Sequence, residues 1–505
     1  MFLEYKKISR LSDYPVFFFS RRAGKVMLRS SFLRSKYFAA LAIFVAALSL
    51  QGKNNAPERS GWDKVPEILK QIVPPVFPNR DFVITEYGAV DGGKTLCTDA
   101  FRKAIEDCRK SGGGRVVVPK GIFLTGAIHL ESNVNLYVTD GAIVRFSTNP
   151  NDYLPVVYTR WEGVELMNYS PLIYAYGQKN IAVTGKGILD GQADNEHWWP
   201  WKGSEEFGWK VGMPSQIDSN CRPLLMRMGD DNVPVKARIF GDGHYLRPTF
   251  VEFYDCENVL VKGVTLESAP FWFLHPTLCK NVTIEDVKTD SNGPNTDGCD
   301  PESCSDVLIE NCTFNDGDDC IAIKSGRNED GRRVNVAATD IVIRGCAMKE
   351  GHGAVSIGSE VSGGCSNVFV EDCSFDSPSL DQGIRIKSNA KRGGAIDGIY
   401  ARNLKVGQVK ESIIRVTMNY DPPEAKDYKY YPVMKDIFVK DVVSQRSEFA
   451  LYVDGLPESK VEDLVVEDCK FNGVSKGDSV VNVTGMKLEN VFVDGKLIGE
   501  TNDSR

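Results

Sequence analysis

A short strand-like pattern recurs along most of this chain and limits the folds that it can adopt. Each copy is an Asn or Asp followed by three apolar or β-branched residues, as in Asn258-Val-Leu-Val. Several neighbouring copies are separated by 23, 25 or 27 residues, with longer gaps where loops are inserted. Repeated strands without amphipathic helices between them favour an all-β solenoid, a single-stranded parallel β-helix, over a doubly wound sheet. The copies begin at Asn180, Asn258, Asn281, Asp306, Asp340, Asn367, Asp436, Asp463 and Asn490.

The Asn or Asp that opens each copy is typical of a turn, so it predicts the corners of the coils and no chemistry. A β-propeller is the alternative architecture, but it needs four strands in each, longer repeat. Ahead of the repeats, Thr98 is positioned to cap a helix that ends at three consecutive glycines, 112–114. Such a helix suits the end cap that protects the open sheet edge of a solenoid. Its apolar stripe is Phe101, Ala104, Ile105 and Cys108.

The beginning of the chain carries a targeting signal. An apolar run at 37–50 follows Arg29, Arg34 and Lys36, which is the arrangement of a signal peptide, and the run is too short for a comfortable membrane span. We therefore expect an exported protein, periplasmic or secreted, without stable membrane insertion; an uncleaved anchor is the alternative. The expected segments are a possible upstream extension at 1–26, a signal peptide at 27–50, a linker at 51–80 and one β-helix domain at 81–500.

The formal net charge of −8 argues against a nucleic-acid partner, which normally requires a basic patch. It also means that an anionic substrate would need a local cluster of cations for its capture. The thirteen cysteines are an odd number for an exported chain, and many recur at strand-like positions. Recurrence favours buried thiols over a disulfide framework, and no Cys/His spacing resembles a zinc site. We expect a monomer.

Two acidic motifs stand one repeat apart in this chain. Asp297 lies in Asn295-Thr-Asp-Gly, and Asp318 follows it by 21 residues in Gly317-Asp-Asp-Cys. Residues one coil apart lie on neighbouring strands roughly 4.8 Å apart, so Asp297 is predicted to neighbour Asp318 and Asp319. Clustered carboxylates suit general acid–base chemistry. Consecutive residues of a regular strand point to opposite faces, so Gly317 is expected to bend the chain and bring both aspartates to one cleft.

Two further motifs follow in the sequence: Gly351-His352-Gly353 and Arg385-Ile386-Lys387. Because side chains alternate along a strand, Arg385 and Lys387 are expected to share one face while Ile386 enters the core. Together with the two acidic motifs, and in this order, they resemble the four motifs of glycoside hydrolase family 28, the polygalacturonases. The resemblance extends from about residue 81 to beyond Lys387.

This resemblance implies a right-handed parallel β-helix that hydrolyses α-linked galacturonic acid in pectin with inversion. It implies Asp318 as general acid, with Asp297 and Asp319 holding and activating the water. Carboxyl groups of inverting enzymes lie roughly 6.5–9.5 Å apart, and a nearby carboxylate raises the pKa of the acid. The remaining residues implied are His352 beside the acid, Asn295 at the substrate, and Arg385 and Lys387 at the sugar carboxylate. No metal ion or cofactor is implied.

Two inserted segments bear on specificity. One follows the Asp pair and contains Arg327, Arg332 and Arg333; the other contains Trp198, Trp199, Trp201 and Trp209. Loops added near a cleft can close one end into a pocket, and the pattern resembles bacterial exo-acting members that release galacturonic acid from chain ends. Alternatively, the arginines form surface ion pairs and the tryptophans pack beneath a loop.

Three other functions remain open on the sequence. The first is a galacturonidase or rhamnogalacturonan hydrolase acting on branched pectin. The second is β-elimination of the kind that pectate lyases catalyse on the same fold. The third is a non-catalytic β-helix that binds glycans.

Overall fold

The computed structural model describes residues 61–498, and their strands form successive parallel coils with three strand positions in each. We name the three stacks of strands face 1, face 2 and face 3, in the order in which each coil visits them. Ala395–Gln408 runs from face 1 into face 2, and Val433–Asp454 continues through all three faces.

The strands of face 1 are Asp81–Val83, Gly114–Val118, Val134–Val138, Lys179–Gly185, Glu257–Lys262, Lys280–Glu285, Ser305–Glu310, Ala338–Arg344, Cys365–Glu371, Val461–Glu467, Val483–Thr484 and Lys487–Glu489. Those of face 2 are Gly121–Thr125, Ala142–Phe146, Ile188–Asp190, Thr265–Glu267, Lys288–Ser291, Thr313–Asp316, Ala347–Met348, Ser374–Phe375, Lys470–Phe471, Val491–Val493 and the antiparallel Lys496–Ile498. Those of face 3 are Ile128–His129, Ile173–Tyr176, Val251–Tyr254, Leu274–Thr277, Ile321–Ile323, Val355–Ile357, Gln382–Lys387, Ser412–Thr417 and Val474–Val481.

The interior of the coils is a continuous apolar stack. Val259 pairs in register with Val282, and Val282 pairs with Val307, so like side chains lie above one another from coil to coil. Each strand buries alternate residues, and this burial of apolar surface drives the stacking. The stack continues through Ile341, Val368, Ile399, Ile437 and Leu464. The parallel β-helix predicted from the repeats is confirmed.

The corner residues behave as the repeat pattern predicts. All nine Asn and Asp residues that open the repeated segments have φ between 52° and 59°, a left-handed conformation that their short polar side chains tolerate. They also form a ladder, because the Asn281 amide donates to Asn258 Oδ1 at 2.7 Å and the Asn258 amide donates to Asn180 Oδ1 at 2.8 Å. The ladder ties the corners of neighbouring coils together.

The predicted capping helix is present at Thr98–Lys110, and its apolar stripe joins the core of the coils. The expected cap is wrong in one detail. Thr98 is the first helical residue rather than the N-cap, and its Oγ1 accepts a hydrogen bond from Gly126 N at 2.7 Å. The hydroxyl therefore fastens the helix to the first coil instead of capping it.

The first two helices of the described chain are short and precede the capping helix. Gly61–Lys64 and Val65–Gln71 are short helices that pack on the outer surface of face 1, against Phe369 and Tyr400 among others. This part of the predicted linker at 51–80 is therefore fastened to the coils. The upstream extension, the signal peptide and the first residues of the linker lie outside the described residues.

The cysteines confirm the prediction of free thiols, since all thirteen lie in the described part, are buried and form no disulfide. Cys279 and Cys304, for example, pack one coil apart inside the apolar stack. Among the described helices, none has the length and apolar character needed to cross a bilayer.

Inserted segments form a second small core at one edge of face 3. An antiparallel hairpin, Val157–Trp161 and Val164–Asn168, pairs with Ile239–Phe240, and the helix Arg222–Asp230 packs beside it. This core includes Trp272, two residues before the face 3 strand Leu274–Thr277, so it is anchored to the coils. The other helices of the described chain are Ile84–Tyr87, Pro150–Tyr153, Trp199–Lys202, Glu205–Phe207, Val235–Ala237, Asn328–Val334 and Pro422–Ala425.

Candidate active site

The four motifs meet on face 3 because each occupies the same part of its coil. Asp297 precedes Cys299, which bridges to Ile321, and the Asp pair directly precedes the strand Ile321–Ile323. His352 precedes the next strand, Val355–Ile357, and that strand pairs with Gln382–Lys387. Stacking of coils thus brings Lys387 into hydrogen-bond contact with Asp319, 68 positions away in the sequence.

Gly317 produces the bend that the sequence requires. Residues 317 and 318 lie in a bend between Thr313–Asp316 and Ile321–Ile323, so the alternation of a regular strand does not apply. A Cβ on Gly317 would lie 2.2 Å from Gly293 O, so only glycine allows this approach of two coils. Asp318 and Asp319 consequently line the same cavity, as predicted.

The three carboxylates are closer than expected. One oxygen from each of Asp297, Asp318 and Asp319 lies within 4.8 Å of the others, whereas roughly 6.5–9.5 Å was predicted for the reacting pair. The prediction assumed that the reacting carboxylates of neighbouring coils lie diagonally to one another. Instead, Gly298 N donates to Asp319 O at 3.0 Å, which places Asp297 directly beside Asp319.

Asp319 is a fixed anion. It is 1% exposed and accepts hydrogen bonds from Lys387 Nζ at 2.7 Å, Arg385 Nη1 at 3.0 Å and Ser356 Oγ at 2.7 Å. Burial acts to raise the pKa of Asp319, but Lys387 and Arg385 outweigh it and hold this pKa far below its ordinary value. Arg385 and Lys387 share one face and Ile386 is fully buried, as the alternation predicts.

Asp318 forms a pair with His352. His352 Nδ1 lies 2.9 Å from Asp318 Oδ1, and Asn295 Nδ2 donates to Asp318 Oδ2 at 3.3 Å. The hydrogen bond and negative charge of Asp318 raise the pKa of His352 to about 9. Burial acts to raise the pKa of Asp318, but the hydrogen bond and charge of His352 outweigh it, and the pKa is lowered.

Asp297 is the member of the cluster that favours its protonated form. Burial, followed by the charges of Asp300 and Asp318, raises its pKa well above the ordinary value, although Lys324 Nζ lies 3.7 Å from Asp297 Oδ2. From the family resemblance we expected the raised pKa on the acid, Asp318. The pKa of Asp318 is lowered instead, because the cations lie unevenly around the three carboxylates.

The cluster opens into a cavity of about 360 Å³. Its floor is formed by face 3 and its walls by the inserted segments, which contribute Glu162 from the hairpin and Lys202, Arg222 and Arg327 from elsewhere. Carboxylate oxygens are good ligands for a metal cation, and the three aspartates are close enough to share one. Lys387 and Arg385 already neutralise Asp319, however, so the cluster carries less free negative charge than its three acids suggest.

Comparison with known proteins decides the family. Residues 235–491 match the family model described as glycosyl hydrolases family 28. The chain belongs to this family. The crystal structure of a hyperthermoactive exopolygalacturonase from Thermotoga maritima is 42% identical, covers 86% of this chain and 96% of its own, and has a TM-score of 0.83.

Two curated relatives are more distant in sequence. A probable polygalacturonase of Vitis vinifera is 28% identical over 79% of this chain and 75% of its own. An exo-poly-alpha-D-galacturonosidase of Dickeya chrysanthemi is 26% identical over 78% of this chain and 67% of its own. The resemblance drawn from the four motifs is confirmed.

The inserted segments of this family 28 member were only partly anticipated. Arg327 lines the cavity and pairs with Glu360 at 3.3 Å, whereas Arg332 pairs with Glu329 and Arg333 with Asp330 away from it. The tryptophans do not line the cavity. Trp198 is buried against Tyr153 and Trp201, and thus supports the loop from beneath.

Other residues of the site were missed by sequence reasoning. Lys324 directly follows the strand Ile321–Ile323, and its position in the repeat could have indicated a site residue. Lys202, Glu162 and Arg392 lie outside the repeated strands, where no periodicity predicts which side chain reaches the cavity.

Proposed function

We propose that this protein hydrolyses α-linked galacturonic acid in pectin and releases galacturonic acid from chain ends. The observation that carries the proposal is the cavity itself: three clustered carboxylates adjoin a space walled by inserted segments and lined by six Lys or Arg side chains. The cations can attract the carboxylate of a uronic acid. Walls built from inserted segments can close the cavity around the end of a polysaccharide chain. The names of the family 28 relatives support the same substrate and mode of action.

Asp318 is the proposed general acid. It is the most accessible of the three carboxylates, with 18% of its side chain exposed, and its partner His352 holds a proton beside it. Protonation of the glycosidic oxygen by Asp318 would break the bond to the leaving sugar. His352, which is half exposed, can take up a proton from solvent and so replace the one that Asp318 has given up.

Asp297 and Asp319 are proposed to hold and activate the attacking water. Asp319 is an acceptor with a fixed position, and Asp297, with its raised pKa, is the stronger base once ionised. Arg385, Lys387 and Asn295 are proposed to contact the substrate. Arg385 and Lys387 retain donors beyond those used by Asp319, and arginine suits a planar carboxylate.

We propose inversion at the anomeric carbon despite the short spacing of the carboxylates. Retaining enzymes use a carboxylate nucleophile roughly 5–5.5 Å from the acid. Asp319 lies near that distance, but it is buried and held by three donors, so it is a poor nucleophile. Asp297 is buried and favours its protonated form. Water is therefore the proposed attacking group, and proton NMR of the first product should show the β anomer.

The test of the function is incubation of the purified protein with polygalacturonic acid in the presence of a chelator. Chromatography over time should show galacturonic acid monomer from the earliest points. A ladder of oligomers would contradict exo action, and an unsaturated product would indicate β-elimination. Asp318→Asn should bind oligogalacturonide and fail to hydrolyse it, because general acid catalysis contributes about 10²–10⁴-fold. A parent that is inactive on galacturonan but active on branched pectin would identify the alternative substrate.

We further propose that the protein is exported and acts as a monomer, with the β-helix domain at 81–500. The basic and apolar run at 27–50 supports export. N-terminal sequencing of the protein recovered outside the cytoplasm should show a start after residue 50 or close to it, and light scattering should give the mass of one chain.

A further inference from the structure

One cation in the wall of the cavity has no anionic partner among the described residues. Of the six Lys and Arg side chains that line the cavity, five form salt bridges with carboxylates of the described chain. Lys202 does not: its ammonium donates to the neutral Asn295 Oδ1 at 2.7 Å, and no carboxylate among the described residues lies within salt-bridge distance. The paired cations are Arg222, Lys324, Arg327, Lys387 and Arg392.

A second unpaired cation lies behind Lys202. Arg247 is fully buried, and its Nη2 donates to the same Asn295 Oδ1 at 2.9 Å. Its other acceptors are the carbonyls of Pro270 and Pro294 and the Gln216 side chain, all neutral, and its Nε has no partner in the described structure. Two positive charges therefore flank one amide oxygen at the wall of the cavity.

This arrangement costs free energy while the cavity holds no anion. A buried charge is normally paired, because removal from water is unfavourable without compensation. Burial, with the neighbouring charge of Arg247, lowers the pKa of Lys202, and burial lowers the pKa of Arg247 to about 9. An anion bound at Lys202 would relieve the repulsion between the two cations.

We propose that Lys202, with Arg247 behind it, binds the carboxylate of the galacturonic acid residue that occupies the cavity. The proposal rests on the proposed function and names the determinant of its specificity. Asn295 receives a hydrogen bond from Lys202 and donates one to Asp318 Oδ2, so the site lies two hydrogen bonds from the acid. The recognised carboxylate consequently belongs to a sugar beside the cleaved glycosidic bond.

Arg385 and Lys387 contribute substrate contacts, but Asp319 already uses much of their positive charge, so Lys202 supplies the charge that the sugar carboxylate still needs. Lys387 Nζ is 2.7 Å from Asp319 Oδ2, and Arg385 Nη1 is 3.0 Å from Oδ1. Lys202 comes from the 3₁₀ helix Trp199–Lys202 in an inserted segment. That loop therefore supplies a binding residue to the cavity, and its buried Trp198, packed against Tyr153 and Trp201, supports it from beneath.

The test is calorimetric binding of galacturonic acid and of its uncharged methyl ester to the parent and to Lys202 variants. The parent should prefer the acid. Lys202→Met and Lys202→Gln should weaken binding of the acid by about 10- to 100-fold, the range for one charge-assisted hydrogen bond, and leave the ester nearly unchanged. Lys202→Arg should restore the preference. Lys210→Met, an exposed lysine of the same loop, is the matched control and should bind as the parent does.

The outcomes separate the proposal from its rivals. Equal losses for acid and ester would show that Lys202 only positions Asn295, and would overturn the proposal. A parent that binds acid and ester equally, or neither, would overturn it as well. Binding needs no turnover, so a protein that prefers the acid through Lys202 but hydrolyses no galacturonan would refute the proposed function alone. If Lys202→Met does not fold, the contrast between Lys202→Gln and Lys202→Arg decides.

Discussion

Removal of Lys387 tests the claim that Asp319 is a buried anion held by two cations. Lys387 and Asp319 have side chains 7% and 1% exposed, with Nζ and Oδ2 2.7 Å apart. Truncation of one partner of a buried pair costs about 3–5 kcal/mol, because the other charge is left uncompensated. Arg385 and Ser356 remain bonded to Asp319, so we expect about 3 kcal/mol for Lys387→Met. For a chain of this size that loss corresponds to a melting temperature lower by about 3 °C.

A double-mutant cycle isolates the interaction from the packing of the lysine stem. Asp319→Asn leaves Lys387 and Arg385 without their anion, and the double variant Asp319→Asn/Lys387→Met removes both charges of the short pair. We expect the double variant to lose less stability than the two single losses combined, by about 2 kcal/mol. Differential scanning calorimetry measures all four proteins. Lys476→Met, which breaks an exposed pair with Glu448, is the control and should change stability by less than about 1 kcal/mol.

The lowered pKa of Asp319 also predicts how the stability lost in Lys387→Met depends on pH. The folded pKa of Asp319 lies below the unfolded value of about 3.9, so its stabilising contribution is present above pH 4 and is lost as pH falls through the folded pKa. The gap between parent and Lys387→Met should accordingly stay constant from pH 7 to about 4 and narrow below that. Additivity in the cycle to within about 0.5 kcal/mol, or a gap that widens in acid, would refute the reasoning.

Three other outcomes are expected. NMR titration of His352 should give a pKa near 9 that falls toward about 6.5 in Asp318→Asn; an unchanged pKa would contradict the pairing. Gly317→Ala should lower activity and stabilise nothing, with a loss of about 1–3 kcal/mol from the clash with Gly293 O; a neutral result would contradict the tight bend. A thiol reagent should modify few cysteines in the native protein and thirteen after denaturation; fewer in denaturant would reveal disulfides.

The sequence predicts the scaffold and the convergence of the acids because both follow from the repeat. The corners at Asn258 and Asn281, the capping helix and the meeting of Asp297 with Asp318 all depend on local pattern and coil period. Sequence periodicity carries no such information about loops. Lys202 lies 93 residues from Asn295, and only the packing of an inserted segment brings them into contact.

The distribution of charge around the three acids could not be predicted from the sequence either. The motifs identify three acids and two cations, but the pKa of each acid depends on which cation lies nearest to it. Lys324 Nζ lies 3.7 Å from Asp297 Oδ2 and 3.4 Å from Asp300 Oδ1. Asp300 is a fourth carboxyl group, fully buried, that no motif singled out. Its charge is one cause of the raised pKa of Asp297. The expected raised pKa was therefore assigned to the wrong member of the cluster.

The uneven distribution of charge gives each carboxyl group a different protonation preference before any substrate binds. Asp319 is neutralised by Lys387 and Arg385 and remains ionised, whereas Asp297 is short of cations and favours its proton. Asp318 shares a hydrogen bond with His352, which holds a proton up to about pH 9, so an acid with a lowered pKa still has a proton within 2.9 Å. Because the pair titrates as a unit, proton delivery depends on the sum of its two sites rather than on Asp318 alone. A sugar carboxylate placed at Lys202 would add negative charge near this pair, which raises the proton affinity of Asp318 at the moment when the glycosidic oxygen arrives.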